Sequence, residues 1–456
     1  MCAIVGIINQ ESAAKSAYYG LFALQHRGQE ASGISASCEH HINTIKKKGL
    51  VTEVFNEEKL NSLKGAMAIG HNRYSTAGKN SGDDAQPVAA KYDLGEISIV
   101  HNGNLINKNE VRNALVRDGA IFQSNMDTEN ILHLIAKSTK NTLTDRIIEA
   151  LENIKGAYCL LILSRSKVFA VRDPYGVRPL SLGRLKNGGY IVASETCAFD
   201  LLGAKFIRDV RPGEMLIFSE GKDEYKSVQL FTPKPRICAF EYIYFARPDS
   251  VIEGKNVYDI RKKLGQMLAQ KSTCKADLVI PVPDSGVPAA LGYAKSAGID
   301  FEMAIVRNHY VGRTFIEPSQ EIRNLKVKLK LNPMSAVLKG KSVVVIDDSI
   351  VRGTTSKRIV EMLRQAGASK IHMKIAAPEI KFPEIYGIDT PTKEELISAQ
   401  KNVNEVCEFI GADSLEFLSI DELKMALGAQ NEYSLVSFDG DYFIKYGGES
   451  LDQVTE

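Results

Sequence analysis

Two adjacent acids, Asp347 and Asp348, end an apolar run (Val343, Val344, Val345, Ile346) and open a loop of Ser349, Arg352, Gly353, Thr354, Thr355 and Ser356. Carboxylates beside a hydroxyl-rich loop repel a phosphate unless they hold sugar hydroxyls or a bridging Mg2+. A helix start next to them favours an anion. The chemistry suggested is a phosphorylated sugar bound with Mg2+. The loop lacks the G-x-x-x-x-G-K-[ST] pattern of a P-loop. At the other end of the chain, Cys2 follows Met1. Removing Met1 would leave Cys2 with both a thiol and an α-amine. That amine has a reference pKa of about 7.7–8, so near pH 7 it can act as base toward its own nucleophile, without a histidine. The plain alternatives are turn- and cap-forming Asp and Thr residues in the first stretch, and a cysteine that merely follows the initiator in the second.

The elements that must position these groups are readable around them. The β-branched run before Asp347 reads as a buried strand of a parallel sheet. After the loop, Ile359, Met362, Leu363 and Ala366 recur at i, i+3, i+4, i+7 with Gly367 placed to stop the helix. DLVIPVPDSG (Asp277–Gly286) repeats the form, a buried strand then a Pro/Asp/Ser/Gly loop, which a plain type I turn would also favour. Ligands of open α/β sheets sit at the carboxyl ends of strands. In the first half, Gly20–Gly33 reads as a helix ending at Gly28, and Ala157–Leu163 and Val168–Val171 as paired strands. SNMDTE leads into a helix with Ile131, Leu132, Leu134 and Ile135 on one side. Ile237–Ser250 reads as a hydrophobic strand and turn, and Val257–Thr273 as an amphipathic helix. The composition shift at FTPKP places a boundary near residues 231–236. The expected domains are 2–232 and 233–456.

With 456 residues, 44% hydrophobic and 25% charged, the chain is long enough for two or three domains with sizeable cores. A net charge of +2 argues against a nucleic-acid surface. No apolar run reaches the roughly 18–20 residues that span a membrane, and no signal segment opens the chain. Seven scattered cysteines without a C-x-x-C pair read as free thiols in a reducing compartment. The expectation is a cytoplasmic protein without a membrane or nucleic-acid partner.

VVVIDDSIVRGTTS closely resembles the phosphoribosyl pyrophosphate (PRPP) signature of type I phosphoribosyltransferases, in its amidophosphoribosyltransferase version. The resemblance implies that Asp347 and Asp348 contact the ribose hydroxyls and Mg2+. It places the 5′-phosphate in the Ser349, Arg352, Gly353, Thr354, Thr355 loop, and adds Ser285 to the Mg2+ site. Arg307–Gln320 and the basic stretch from Arg323 to Lys330 would form a mobile flap over PRPP. In the first half, GLFALQHRGQEASG, IGHNRYSTAG, IVHNGNL, SNMDTE and VRDPYGVRP occur in the order found in class II glutamine amidotransferases, which are N-terminal-nucleophile hydrolases. By that resemblance Cys2 attacks the glutamine amide, Asn102 and Gly103 form the oxyanion hole, Arg73 and Asp127 grip the α-carboxylate and α-amine, and Thr76 and Tyr74 shape the pocket. His71 and His101 read as supporting residues rather than bases.

The implied fold is an α+β αββα sandwich followed by an α/β parallel-sheet domain. The implied reaction transfers glutamine-derived ammonia to PRPP, displacing pyrophosphate to give 5-phosphoribosylamine, the committing step of purine synthesis. The resemblance also implies a homotetramer and purine nucleotides as feedback inhibitors. The alternative is a PRPP-sensing regulatory protein with an inactive glutaminase half. One branch of the family carries a cysteine-ligated iron–sulfur cluster and a propeptide. Here Cys238 matches the first ligand position, Glu384 occupies the second, and the C-terminal pair is missing around Ser434–Tyr446. One thiolate cannot hold a cubane cluster, so none is expected, nor is a propeptide.

Overall fold

The computed structural model describes residues 1–38, 41–74, 84–308, 331–388, 390–428 and 432–444. Thr76, the flap from residue 309 onward with its basic stretch, and the last twelve residues, 445–456, lie outside them.

The first half is a sandwich of two antiparallel sheets. One runs Lys205–Asp209, Ser181–Arg184, Tyr190–Ala193, Ala3–Ile8, Met67–Arg73, Ala31–Cys38, His41–Lys48 in spatial order. The other runs Tyr225–Gln229, Glu214–Ser219, Lys167–Arg172, Gly156–Ser164, Gly95–Leu105, Val88–Tyr92. Ala3–Ile8 lies mid-sheet, and alternation along it sets both packing faces. Ile4 and Ile8 enter the core between the sheets with Ile69, Val100, Leu161 and Val168. Ala3, Val5 and Ile7 face outward, where the helices Ala13–Ala23 and Cys197–Leu202 cover them. On the outer face of the second sheet, Ile131, Leu132 and Ile135 of helix Asp127–Lys137 and Ile147 of helix Leu143–Glu152 pack against Leu160, Ile162 and Phe169. The result is the expected αββα layering, and it brings Cys2 to the start of a central, fully buried strand.

The second half is built on a parallel sheet ordered Asp300–Phe301, Leu278–Pro281, Ser342–Asp347, Lys370–Ile375, Ser414–Phe417. Val343 and Val345 enter the core on one face, Val344 and Ile346 the core on the other. Burial on both faces is why this strand reads as an unbroken apolar run. Pro281 stands beside Ile346, so the loops after the two strands emerge at the same sheet edge.

One local expectation fails. Only Ile237–Cys238 is extended; Glu241–Phe245 is a helical turn. Arg261, buried on the following helix, donates from Nε to Tyr242 O (2.7 Å) and from Nη2 to Ala246 O (2.8 Å). A side chain thus satisfies carbonyls that a strand would have paired, and the aromatic run packs as a turn between the halves.

The halves share one apolar core, in which Met1, Ile106, Ala157 and Val177 meet Ile237, Ala239, Tyr242 and Tyr386. Backbone N–H groups of Lys234, Arg236 and Cys238 donate in turn to the carbonyls of Pro174, Tyr175 and Val177. The turn-rich VRDPYGVRP segment is therefore a docking strip for the connecting chain.

Candidate active sites

Cys2, Arg73, Gly103, Asn104, Met126 and Asp127 line one pocket. Three strand ends converge there, because Ala3 pairs with Asn72 at the end of Met67–Arg73, and Asn102 lies near the end of Gly95–Leu105. The Cys2 thiol sits 3.4 Å from the Tyr74 amide nitrogen and 3.5 Å from the Tyr74 carbonyl oxygen. With Met1 in place the Cys2 nitrogen is an amide, and it donates to Asn102 Oδ1 at 3.2 Å. Asn102 Nδ2 is buried and has no hydrogen-bond partner among the described residues. A buried donor left unpaired beside a thiol costs free energy unless a ligand takes it up. Gly103 admits no side chain: a Cβ there would lie 2.0 Å from Ala157 O.

Asp127 is the first residue of its helix, with Met126 at the cap position, so it is not a capping residue. Burial would raise its pKa, but the charge and hydrogen bond of His101 and the Leu105 N–H outweigh burial and hold it below the ordinary value. His101 Nδ1 lies 3.2 Å from Asp127 Oδ1, and Leu105 N–H donates to Oδ2 at 2.9 Å. Arg73 Nη1 donates to Asp84 O at 2.8 Å, Nη2 lies 3.6 Å from Asp84 Oδ2, and its buried Nε has no partner among the described residues. The pocket thus carries a guanidinium and an ionised carboxylate on its wall. His71 is buried, and burial first, then the nearby Arg73 charge, pushes its pKa down to about 3. It is neutral at neutral pH and turned to His101 O at 3.1 Å, which suits support and not proton transfer from Cys2.

The second site lies at the carboxyl edge of the parallel sheet. Asp347 ends its strand, the loop runs to Gly353, and helix Thr354–Gln365 begins with Thr354 and Thr355 exposed. Gly353 adopts φ 72°, a left-handed conformation that lets the loop turn into the helix. Ser285 Oγ donates to Asp348 Oδ2 at 2.5 Å, and Ser349 Oγ to Oδ1 at 2.5 Å. The loop after the neighbouring strand therefore joins the acids. Arg352 reaches Glu395 at 3.2 Å and is half-exposed. Burial and the adjacent carboxylate raise the Asp347 pKa well above the usual range. Burial also raises that of Asp348, against the hydrogen bonds of Ser285 and Ser349 and the charge of Arg261.

Two buried acids short of positive charge fit a divalent cation. Among the described residues no three His, Cys, Asp or Glu side chains group as a metal cage. Mg2+ takes few protein ligands, all of them oxygens, and fills its shell with water and substrate oxygens.

A glutamine amidotransferase domain model matches residues 71–200, and a phosphoribosyl transferase domain model matches residues 253–399. The amidophosphoribosyltransferase of Bacillus subtilis (strain 168) is 48% identical over 449 residues, 97% of this chain and 94% of that protein. This chain belongs to the amidophosphoribosyltransferase family. The chloroplastic amidophosphoribosyltransferase 1 of Arabidopsis thaliana is 52% identical over 448 residues, 97% of this chain and 79% of that protein. The solved structure of the B. subtilis glutamine PRPP amidotransferase complexed with ADP and GMP superposes with a TM-score of 0.93 at 46% identity, covering 99% of this chain and 100% of that one.

For a member of the amidophosphoribosyltransferase family, the sequence reading missed what fastens the nucleophile to the second half. Arg27 Nε donates to the Cys2 carbonyl at 3.0 Å. Its guanidinium also pairs with Glu195 (2.6 Å) and with both oxygens of Glu241 (2.9 Å each), all buried. Arg27 stands inside the QHRGQE motif, but nothing in that motif names Glu241 as its partner. Asp84 and Gln86 were also missed; Gln86 Oε1 accepts the His101 N–H at 2.7 Å. At the two positions matched to the cluster-bearing branch, burial pushes the Cys238 thiol up to about 12, and Glu384 lies 3.4 Å from Arg178. No described helix is long and apolar enough to cross a membrane.

Proposed function

We propose that the chain makes 5-phosphoribosylamine from glutamine and PRPP, with Cys2 as nucleophile once Met1 is removed. The observation that carries the glutaminase half is Asn102 Nδ2, buried beside Cys2 and without a partner among the described residues. The Cys2 thiol gives its proton to the free α-amine and attacks the side-chain amide carbon. The oxyanion formed is met by Asn102 Nδ2 and the Gly103 N–H, donors typically worth about 3–4 kcal/mol each. Collapse of this intermediate takes the proton back onto the departing nitrogen, releasing ammonia and leaving a γ-glutamyl thioester. Water then hydrolyses the thioester to glutamate and the free thiol. Arg73 and Asp127 hold the α-carboxylate and α-amine, a charge-paired clamp that selects an amino acid.

At the second site Asp347 and Asp348 hold the ribose hydroxyls and steady the positive charge that builds on the sugar ring. The loop from Ser349 to Thr355 holds the 5′-phosphate. Mg2+ would be held by Asp347, Asp348 and Ser285 and would supply charge neutralisation for the departing pyrophosphate. Ammonia attacks the anomeric carbon as the bond to pyrophosphate breaks, and the ammonium formed loses one proton.

The same reading places the domains at 2–232 and 233–456, supported by Tyr225–Gln229 as the last strand of the sandwich. It takes purine nucleotides as inhibitors, since the B. subtilis relative was solved with ADP and GMP. It takes the assembly to be a homotetramer, as the family resemblance implies, and the location to be cytoplasmic, supported by seven cysteines that are all free. The test is Cys2→Ala, followed by PRPP consumption. Activity with glutamine should vanish and activity with ammonia persist. Wild type consuming PRPP with neither donor, or a variant still active with glutamine, overturns the proposal.

A further inference from the structure

Gly103, which lines the glutamine pocket, is backed by a segment from the other half of the molecule. Gly387 adopts φ 113° and rests directly on Gly103. A Cβ at 387 would lie 3.1 Å from both the Cα and the carbonyl carbon of Gly103, and 3.3 Å from Arg178 Nη2. Gly103 is itself closely packed, since a Cβ added to it would lie 2.0 Å from Ala157 O. Two glycine backbones are in contact with no side chain between them.

The segment around Gly387 is fastened at three points. Asn104 Nδ2, one residue beyond Gly103, donates to Ile385 O at 2.8 Å. Arg178 Nη2 donates to Tyr386 O at 2.8 Å while pairing with Glu384 at 3.4 Å. Glu384 Oε2 in turn accepts the Ile388 N–H at 2.6 Å. Every one of these groups except Asn104 is buried. The bend from Glu384 to Ile388 is thus held closed on itself and clamped to the strand that carries Asn102 and Gly103. The segment leaves the sheet where the Ala376 N–H donates to Asp347 O at 2.9 Å, so it begins against the acid pair of the second site.

We infer that Gly387 is a positioning residue for the glutaminase reaction: it sets where the Gly103 backbone stands relative to Cys2, with Arg178 and Glu384 holding it in place. The inference rests on the oxyanion role proposed for Gly103. Oxyanion donors act on the transition state, so a small displacement lowers kcat and leaves glutamine binding by Arg73 and Asp127 intact.

The test compares wild type with Gly387→Ala, which forces a methyl group into the contact, and Glu384→Gln, which keeps an acceptor for Ile388 but weakens the tie to Arg178. Both are measured as full-length protein with Mg2+ and PRPP, using glutamine and then ammonia. In Gly387→Ala the kcat for glutamine should fall about 10- to 100-fold, with the glutamine KM and the ammonia-dependent rate each within about twofold of wild type. Glu384→Gln should show the same split at smaller amplitude, and it alone decides the matter if Gly387→Ala does not fold. Equal loss with both nitrogen donors, a rise in KM alone, or wild-type kinetics in a folded variant overturns the inference. Wild type inactive with both donors overturns instead the proposed reaction on which it rests.

Discussion

Arg27 grips Cys2 by its main chain and not by its thiol: Nε donates to the Cys2 carbonyl at 3.0 Å while the rest of the guanidinium is shared between Glu195 and Glu241. The nucleophile's backbone is thereby tied to both halves of the molecule through one side chain.

Replacing Arg27 with Met keeps much of the volume but takes both close hydrogen bonds from buried Glu241, leaving it Arg178 at 3.9 Å, while Glu195 keeps His26 and Ser250. Removing one partner of a buried ion pair costs about 3–5 kcal/mol. Arg27→Met should lose that much in denaturant unfolding, and a double change with Glu241→Gln should lose less than the sum of the two single changes. Additive losses would mean that the pair is not coupled.

Asn102 offers a sharper kinetic test. Asn102→Ala removes the buried Nδ2 and the acceptor for the Cys2 nitrogen. The glutamine kcat should fall about 10²- to 10³-fold while the ammonia-dependent rate holds. Steady-state assays with the two donors check this, and a parallel fall of both rates would contradict it.

Asp347 should reveal itself through stability before activity. Its folded pKa lies above the usual 3.8, first because it is buried and then because Asp348 is beside it. As pH rises through that window the unfolded chain releases the proton first, so the free protein loses stability. Asp347→Asn should therefore raise the melting temperature of the ligand-free protein at pH 8 and flatten its pH dependence. The same variant should lose the thermal shift that Mg2+ with PRPP gives wild type. Calorimetry at pH 4 and 8 measures both effects.

His71 shifts in the opposite sense. Burial holds its folded pKa at about 3 against 6.5 when unfolded, so below pH 6.5 the unfolded chain takes up the proton first. Stability from keeping it neutral is full above pH 6.5 and is lost as pH falls toward 3. At 1.36 kcal/mol per pKa unit, wild type should lose roughly 3 kcal/mol between pH 6.5 and 4. His71→Gln, which can still donate to His101 O, should be spared that loss in urea titrations at the two pH values. Equal losses in both proteins would place the acid sensitivity elsewhere.

What the sequence made legible was local. Val343–Ile346, the acids after them and the helical spacing from Ile359 to Ala366 lie within one strand–loop–helix, and their pattern gives the strand and the helix directly. Short motifs single out Cys2, Asn102, Gly103 and Asp127, and the fold sets Cys2, Gly103 and Asp127 on one pocket with Arg73, with Asn102 against the Cys2 nitrogen. Partners far apart in the chain were not legible. No pattern links Arg27 with Glu241, or Gly103 with Gly387, because those contacts exist only after both halves have packed. Ile237–Ser250 was misread for a related reason. Its apolar run suits a strand, but Arg261 supplies hydrogen bonds that only the tertiary fold can bring to Tyr242 and Ala246.

The buried ion pairs between the halves bear on modularity. Arg27 and Arg178 belong to the first half, Glu241 and Glu384 to the second. Arg172 of the first half likewise pairs with Glu253 of the second at 2.6 Å, so parting the halves would bare guanidinia on one face and carboxylates on the other, among apolar side chains. Faces so matched in charge and shape attract one another and reject strangers. The junction is a keyed joint, in which charge as well as shape fixes how the two halves meet.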